Sequence, residues 1–222
     1  MAFFLLGIRM YYFDIKKDYE NFISIANAVN PVCDKDTVIG HGTRGICFKI
    51  NDNTALKLTS DLGEVTTAIT LIKNQNDAMP KVKSVYQPND SHLWVIEQDL
   101  CENLTPKEYR LFDRLTGEFD LYSEDLKGST VSKFEEMYDD GGFDHFEEDD
   151  LVLELLNAIT EANNAPLLKE LDLHVDNIMR LNGKLVLIDQ KNIFENAKSI
   201  KMQNKIITKH LSETNQEYGL EI

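Results

Sequence analysis

The sequence predicts an α+β chain of two lobes around a shared cleft, a small antiparallel sheet followed by a reduced, mostly helical part. Three observations carry this. Between Val38 and Glu97, short β-forming runs are separated by turn residues, with one helix-period stretch among them. From Thr105 onward the apolar spacing becomes helical. Within that second part, Leu171 to Asp189 reads LDLHVDNIMRLNGKLVLID, where the runs Ile178–Leu181 and Leu185–Ile188 flank Asn182-Gly183. Asn-Gly supplies the positive φ angles of a tight two-residue turn, so the stretch reads as a hairpin. The hairpin returns Asp189 to the side of Asn177, and two oxygens suited to a hard cation converge near Asp172, a carboxylate able to accept a proton.

The chain has 222 residues, 42% hydrophobic and 27% charged, enough to bury a core without covalent staples. It is read as one domain, with an N-terminal extension over 1–35, a small lobe over 36–98 and a large lobe over 99–222. A net charge of -15 disfavours direct nucleic-acid binding and suits basic protein partners. Cys33, Cys47 and Cys101 are scattered without a CxxC pair, which argues against a disulfide framework or zinc site and for a reducing, cytoplasmic location. The opening MAFFLLGIRMYYF lacks a basic leader and is too short to span a bilayer, so it reads as a packing segment and no membrane association is expected. The oligomeric state is not legible.

In chain order, Asp14 to Val29 is an amphipathic helix ended by Pro31, with Phe22, Ile23, Ile25 and Ala26 on its apolar side. Gly40, Gly42 and Gly45 form G-x-G-x-x-G between two β-forming runs. Such a loop can fold close over phosphates with its N–H groups facing them, or it can be a plain glycine hairpin. The strand that follows it, where a dinucleotide site would need a helix, argues against the dinucleotide reading. Lys57 lies in Ala55-Leu56-Lys57-Leu58, where a buried cation needs a counter-charge; nucleotide phosphates could supply one, and an open face of an edge strand would need none. Asp61 to Asn74 is a helix with Val65, Ala68, Ile69 and Ile72 on one side. Its Glu64 either pairs with Lys57 or caps the helix with Asp61. Strands over Lys81–Tyr86 and His92–Glu97 follow, and Glu97-Gln98-Asp99-Leu100 is expected to leave the sheet.

Thr105-Pro106-Lys107-Glu108 is a capping box, and Gly117 is expected to close the helix it starts. Glu135 to Asp150 is crowded with carboxylates but lacks calcium-loop spacing. It reads as a solvated acidic loop or, failing that, a docking surface for a basic partner. Leu151 to Ala162 is apolar almost all round and is expected to be a central buried helix; from Glu195 a final helix carries Ile200, Ile206, Ile207 and Leu211.

The order of these motifs, with DLHVDNIM at Asp172–Met179, Asn182-Gly183 and Ile188-Asp189, resembles the protein-kinase superfamily from about Val38 to Phe194. It is most similar to the small early serine/threonine kinases of short-tailed bacteriophages. The resemblance implies an ATP- and Mg²⁺-dependent enzyme of the host cytoplasm that phosphorylates host proteins. Asp172 would be the catalytic base or the orienter of the acceptor hydroxyl, with His174 in place of the usual lysine. Lys57, oriented by Glu64, would hold the α/β-phosphates under Gly40, Gly42 and Gly45. Glu97 and Asp99 would belong to the adenine-binding hinge, and Asn177 and Asp189 would hold Mg²⁺. Departures are Glu170-Leu171 before Asp172 and Gln190-Lys191 after Asp189. The stretch beyond Asp189 is also too short for an activation segment plus peptide-binding helices. His174 is also the pattern of aminoglycoside-type phosphotransferases, which leaves a small-molecule phosphotransferase as an alternative, and a non-catalytic acidic binding protein as another.

Overall fold

A computed structural model describes residues 15–88, 91–123, 128–144, 149–165, 171–190 and 197–217. The N-terminal packing segment, the Glu170 departure and residues 145–148 of the acidic stretch lie outside them.

Helix α1 (Ile15–Val29) precedes a five-stranded antiparallel sheet made of β1 (Val38–His41), β2 (Gly45–Asn51), β3 (Thr54–Thr59), β4 (Val82–Tyr86) and β5 (Trp94–Asp99), in the order β1-β2-β3-β5-β4. Side chains alternate across a strand, so each strand feeds two faces. Leu56, Leu58, Leu93 and Val95 point to one face, where Phe22, Ile23 and Ala26 of α1 cover them. Trp94 and Ile96 point to the other, against Val65, Ala68 and Ile69 of helix α2 (Leu62–Lys73), inserted between β3 and β4. The start of α2 is fixed by Asp61, whose carboxylate accepts the Gly63 N–H at 2.8 Å.

Beyond β5 the chain is mostly helical: α3 (Pro106–Ser123), α4 (Thr130–Asp139) and α5 (Asp149–Asn163), then the hairpin β6 (Ile178–Leu181) and β7 (Lys184–Leu187), then α6 (Ala197–Glu217). The expected capping box opens α3: Thr105 N–H donates to Glu108 Oε2 at 2.8 Å, and Glu108 N–H donates to Thr105 Oγ1 at 3.3 Å. The Asn182-Gly183 turn has φ of 51° and 82°, as the hairpin reading requires. One buried cluster runs from α2 and the sheet through α3, α4 and α5 to Leu185 and Leu187 of the hairpin. The architecture is the α+β one expected from the sequence, a small antiparallel sheet followed by a mostly helical part.

Three local expectations change. Gly117 does not end α3, because Phe119, one turn from Leu115, is buried against Phe134 at 5.4 Å between ring centroids. That packing outweighs the roughly 1 kcal/mol helix penalty of an interior glycine. The acidic stretch is not all loop, since Glu135, Glu136 and Asp139 lie on α4, whose Val131, Phe134 and Met137 are buried. Helix α5 is amphipathic, not buried all round: Leu153 is 43% exposed, and Glu154 turns its carboxylate to Arg180.

Arg180 on β6 ties the hairpin to two helices. Its guanidinium donates to Glu108 of α3 at 2.6 Å and to Glu154 of α5 at 2.7 Å, and Glu154 also accepts the Leu185 N–H at 3.2 Å. Arg180→Met leaves both carboxylates without their cation. Discounted for partial exposure, the expected loss is about 2–3 kcal/mol of stability, read as a lower urea midpoint at unchanged m-value.

The final helix does not extend the large lobe. It packs back on the small one: Ile207 is buried, His210 Nε2 lies 2.7 Å from the Val85 carbonyl oxygen, and Glu213 pairs with Lys73 of α2 at 2.6 Å.

Candidate active site

The glycine loop joins β1 to β2. Gly42 N–H donates to the Gly45 carbonyl at 2.9 Å, and Ser60 N–H donates to the Arg44 carbonyl at 2.9 Å, so the loop is pinned at its base. The Arg44 guanidinium reaches Asp61 at 3.1 Å. A Cβ on Gly45 would stand 2.9 Å from the Leu58 carbonyl oxygen, so glycine is required there by the close approach of β3. Around Gly40 and Gly42 there is open space instead. All three line the cleft between the lobes.

Lys57 leaves the middle of β3 on the cleft side and is 9% exposed. Its Nζ lies 3.2 Å from Glu64 on α2 and 2.6 Å from Asp189 after β7, so the helix, the sheet and the hairpin meet on one cation. Glu64 also accepts from Thr59 Oγ1 at 3.0 Å. The two readings of Glu64 are thereby separated: Asp61 caps α2 by itself, and Glu64 pairs with Lys57. Burial opposes the charge on Lys57, but the carboxylates of Glu64 and Asp189 outweigh it and raise its pKa well above the ordinary lysine value. Burial raises the pKa of Glu64 above the usual 4.5, more than Lys57 lowers it.

From Leu171 the side chains alternate into a 3₁₀ turn over Val175–Asn177: Leu171, Leu173 and Val175 are buried, while Asp172, His174 and Asp176 are exposed. The cleft is lined by Asp172 and His174 ahead of this turn and by Asp176 and Asn177 within it. His174 Nδ1 accepts the Asp176 N–H at 3.3 Å. Asn177 Nδ2 donates to the Asp172 carbonyl at 3.1 Å, and the Asn177 carbonyl accepts the Ile188 N–H at 2.9 Å, which locks the loop to the hairpin end. Asp189 follows with φ of 56°, a left-handed conformation rare outside glycine, asparagine and aspartate.

These residues surround one cleft of about 1200 Å³, bounded by the glycine loop, Lys57, residues 98–103 and the Asp172–Asn177 segment. Asp189 closes it at the hairpin end, and Ile39, Ala55, Met179 and Ile188 supply apolar walls.

One predicted position falls outside. Glu97 does not line this cleft, since β5 runs on to Asp99 and strand parity puts Glu97 on the α1 side with Leu93 and Val95. There it accepts from Ser84 Oγ at 3.0 Å. The chain leaves the sheet two residues later than expected. Leu100 N–H donates to the Asn53 carbonyl at 3.3 Å and Glu102 N–H to the Arg180 carbonyl at 2.7 Å, with Cys101 between these anchors. Asp99 lines the cleft, and its carboxylate pairs with Lys83 at 3.0 Å.

Sequence reasoning also missed Arg44, which ties the loop to the start of α2, and Gln190, which is buried against the Asp172 backbone. Arg44 stands inside the glycine motif, and its position could have drawn notice. Gln190 carries no local signal beyond an uncharged polar residue after an apolar strand.

No protein-family model and no curated protein matches the chain. Solved structures similar to it include a variant of aminoglycoside 2′-phosphotransferase IIIa with GDP, at 15% identity, covering 78% of this chain and 71% of that one, TM-score 0.35. A GDP and kanamycin complex of APH(2″)-IIIa is similar at 13% identity over 86% and 82%, TM-score 0.33. A thermostable mutant of aminoglycoside phosphotransferase APH(4)-Ia in its apo form is similar at 12% identity over 69% and 65%, TM-score 0.32. Overlaps this partial leave the chemistry to be read from the chain's own residues. Among the described residues, no helix is long and apolar enough to cross a membrane.

Proposed function

We propose that this chain transfers the γ-phosphoryl group of ATP to a hydroxyl acceptor. The observation that carries the proposal is the meeting of Lys57, Asp189, Asn177 and Asp172 in one cleft beneath a glycine loop. The donor set fits a nucleotide with Mg²⁺: Asp189 and Asn177 offer two hard oxygens, the number Mg²⁺ commonly takes from a protein when phosphates and water complete its shell. Bound there, the cation would neutralise phosphate charge. Lys57 holds the α/β-phosphates, kept in place by Glu64, and the glycine loop covers them with backbone N–H groups. The purine lies between the apolar walls, along residues 98–101. Asp172 faces the cleft with an exposed carboxylate and takes the proton of the acceptor hydroxyl.

For the acceptor, a small hydroxyl compound carrying positive charge is the reading best supported. Glu102, Asp172 and Asp176 line the cleft, and α6 bonds to Lys73 of α2 and Val85 of β4 on the small lobe. Phosphorylation of serine or threonine on a basic protein, as in the phage kinases, is the second reading; the net charge of -15 and the exposed carboxylates of α4 favour it. The test is γ-labelled ATP with Mg²⁺, offered with an amino-alcohol and aminosugar panel or with bacterial lysate, beside an Asp189→Ala control. Label on a small acceptor supports the first reading and label on proteins the second. Nucleotide binding without any Asp189-dependent transfer would leave a binding protein on a kinase scaffold.

The pH dependence follows from the Lys57–Glu64 pair. With its folded pKa above 4.5, Glu64 takes up a proton at higher pH than an ordinary glutamate and then ceases to orient Lys57. kcat/KM is expected to fall on acidification with a midpoint above 4.5, and Glu64→Gln to be slow and flat across that range. Stability moves the other way for this group, because a raised carboxyl pKa favours folding below it and the contribution is lost as pH rises through it.

A further inference from the structure

Resting on the phosphoryl-transfer reading, we infer that Gln190 is a positioning residue that couples the proton-accepting Asp172 to the metal-binding Asp189. Its side chain is 6% exposed and fully engaged. Oε1 accepts the N–H of Asp172 at 2.9 Å, while Nε2 donates to the carbonyl of Asp172 at 3.2 Å and to that of Ile188 at 2.9 Å. One amide thus grips both backbone polar groups of Asp172 and, with its second hydrogen, the residue that precedes Asp189.

The geometry explains the left-handed Asp189. A φ of 56° turns the chain sharply after β7 and sends Gln190 back under the loop instead of onward from the strand. Asn177 Nδ2 donates to the same Asp172 carbonyl at 3.1 Å, so that oxygen accepts from both amides, and both lead to the hairpin end. Only an amide of this length supplies an acceptor for the N–H and donors for two carbonyls at once. A hydrophobic residue here would fill the space but leave the Asp172 N–H without this acceptor, while its carbonyl would keep the Asn177 amide and the His174 N–H. The arrangement holds the two carboxylates at a fixed separation. Rates of phosphoryl transfer are sensitive to such separations, since an error of about 1 Å costs on the order of 100-fold.

The test compares Gln190→Met with wild type for kcat, KM for ATP and the denaturation midpoint. Phe134→Leu, at a buried residue that does not line the cleft, serves as a control for lost stability. The expected result is a fall in kcat of about 10–100-fold, with KM for ATP within about twofold because Lys57 and the glycine loop are untouched. Phe134→Leu should lower the midpoint and leave kcat near wild type. Should the methionine variant fail to fold, Gln190→Glu keeps an oxygen toward the Asp172 N–H and loses both donations; the same split between kcat and KM is expected. A Gln190→Met or Gln190→Glu enzyme with wild-type kcat, while Asp172→Asn is inactive, overturns this inference alone. So does a loss of kcat that Phe134→Leu reproduces at equal loss of stability. Equal, measurable turnover in wild type and Asp172→Asn removes Asp172 from the reaction and this inference with it, whereas a wild type with no Asp189-dependent transfer overturns the phosphoryl-transfer reading itself.

Discussion

Replacing Asp172 by asparagine is expected to lower phosphoryl-transfer turnover by about 10²–10⁴-fold, the range a positioned general base contributes. Nucleotide affinity and the denaturation midpoint should barely move. The reason is a division of labour within the residue. The backbone of Asp172 does the structural work, its N–H bonded to Gln190 and its carbonyl accepting from Asn177 and Gln190. The side chain is exposed on the cleft wall. Asparagine preserves the backbone bonds and the volume, and removes only the ability to take a proton. Asn177→Ala would be less informative, because the side chain proposed to offer an oxygen to Mg²⁺ also donates to the Asp172 carbonyl. Steady-state turnover set beside a nucleotide titration checks the prediction. An Asp172→Asn protein that turns over like wild type would remove Asp172 from the reaction.

What could be read in advance was what neighbouring residues decide together. The Asn182-Gly183 turn needs only its own two positive φ angles, and the Asp61 cap and the Thr105/Glu108 box each lie within a single turn of helix. The glycine loop was legible for the same reason. Strand parity was not: Leu93 to Ile96 is apolar at every position, so no alternation says which side Glu97 takes, and only α1 packing against Leu93 and Val95 decides it. The end of α3 was misplaced because Gly117 is weighed locally, whereas Phe119 is held by Phe134 from another helix. The partner of Lys57 was half legible. Two roles competed for the acidic residues at the start of α2, and they separated only once the Asp61 carboxylate was seen to reach Gly63 N–H. The placement of α6 on α2, and the grip of Gln190 on Asp172, depend on contacts distant in sequence and left no local trace.

Lys57→Met is expected to abolish transfer by a different route, and its stability cost should depend on pH. Methionine keeps much of the lysine stem but leaves the Glu64 and Asp189 carboxylates without the cation they share. Stranding a buried charge in this way commonly costs about 3–5 kcal/mol. Two features reduce it here. The Asp189 side chain is 44% exposed and can be served by water. Glu64, already inclined by burial to hold its proton, can take one up and keep Thr59 as a hydrogen-bond partner. The expected loss is therefore about 2–3 kcal/mol near neutral pH, shrinking as pH falls toward the range where Glu64 protonates, since the proton then replaces the missing cation. Adding Glu64→Gln to Lys57→Met should recover much of that stability at pH 7, because the amide is neutral at every pH, and recover none of the turnover. Denaturation midpoints and transfer assays on the two single variants and the double variant separate the roles. Stability regained without activity means that Lys57 holds the fold through Glu64 and the substrate through its own charge. A Lys57→Met protein with wild-type turnover would instead show that the phosphates are held by other groups in the cleft.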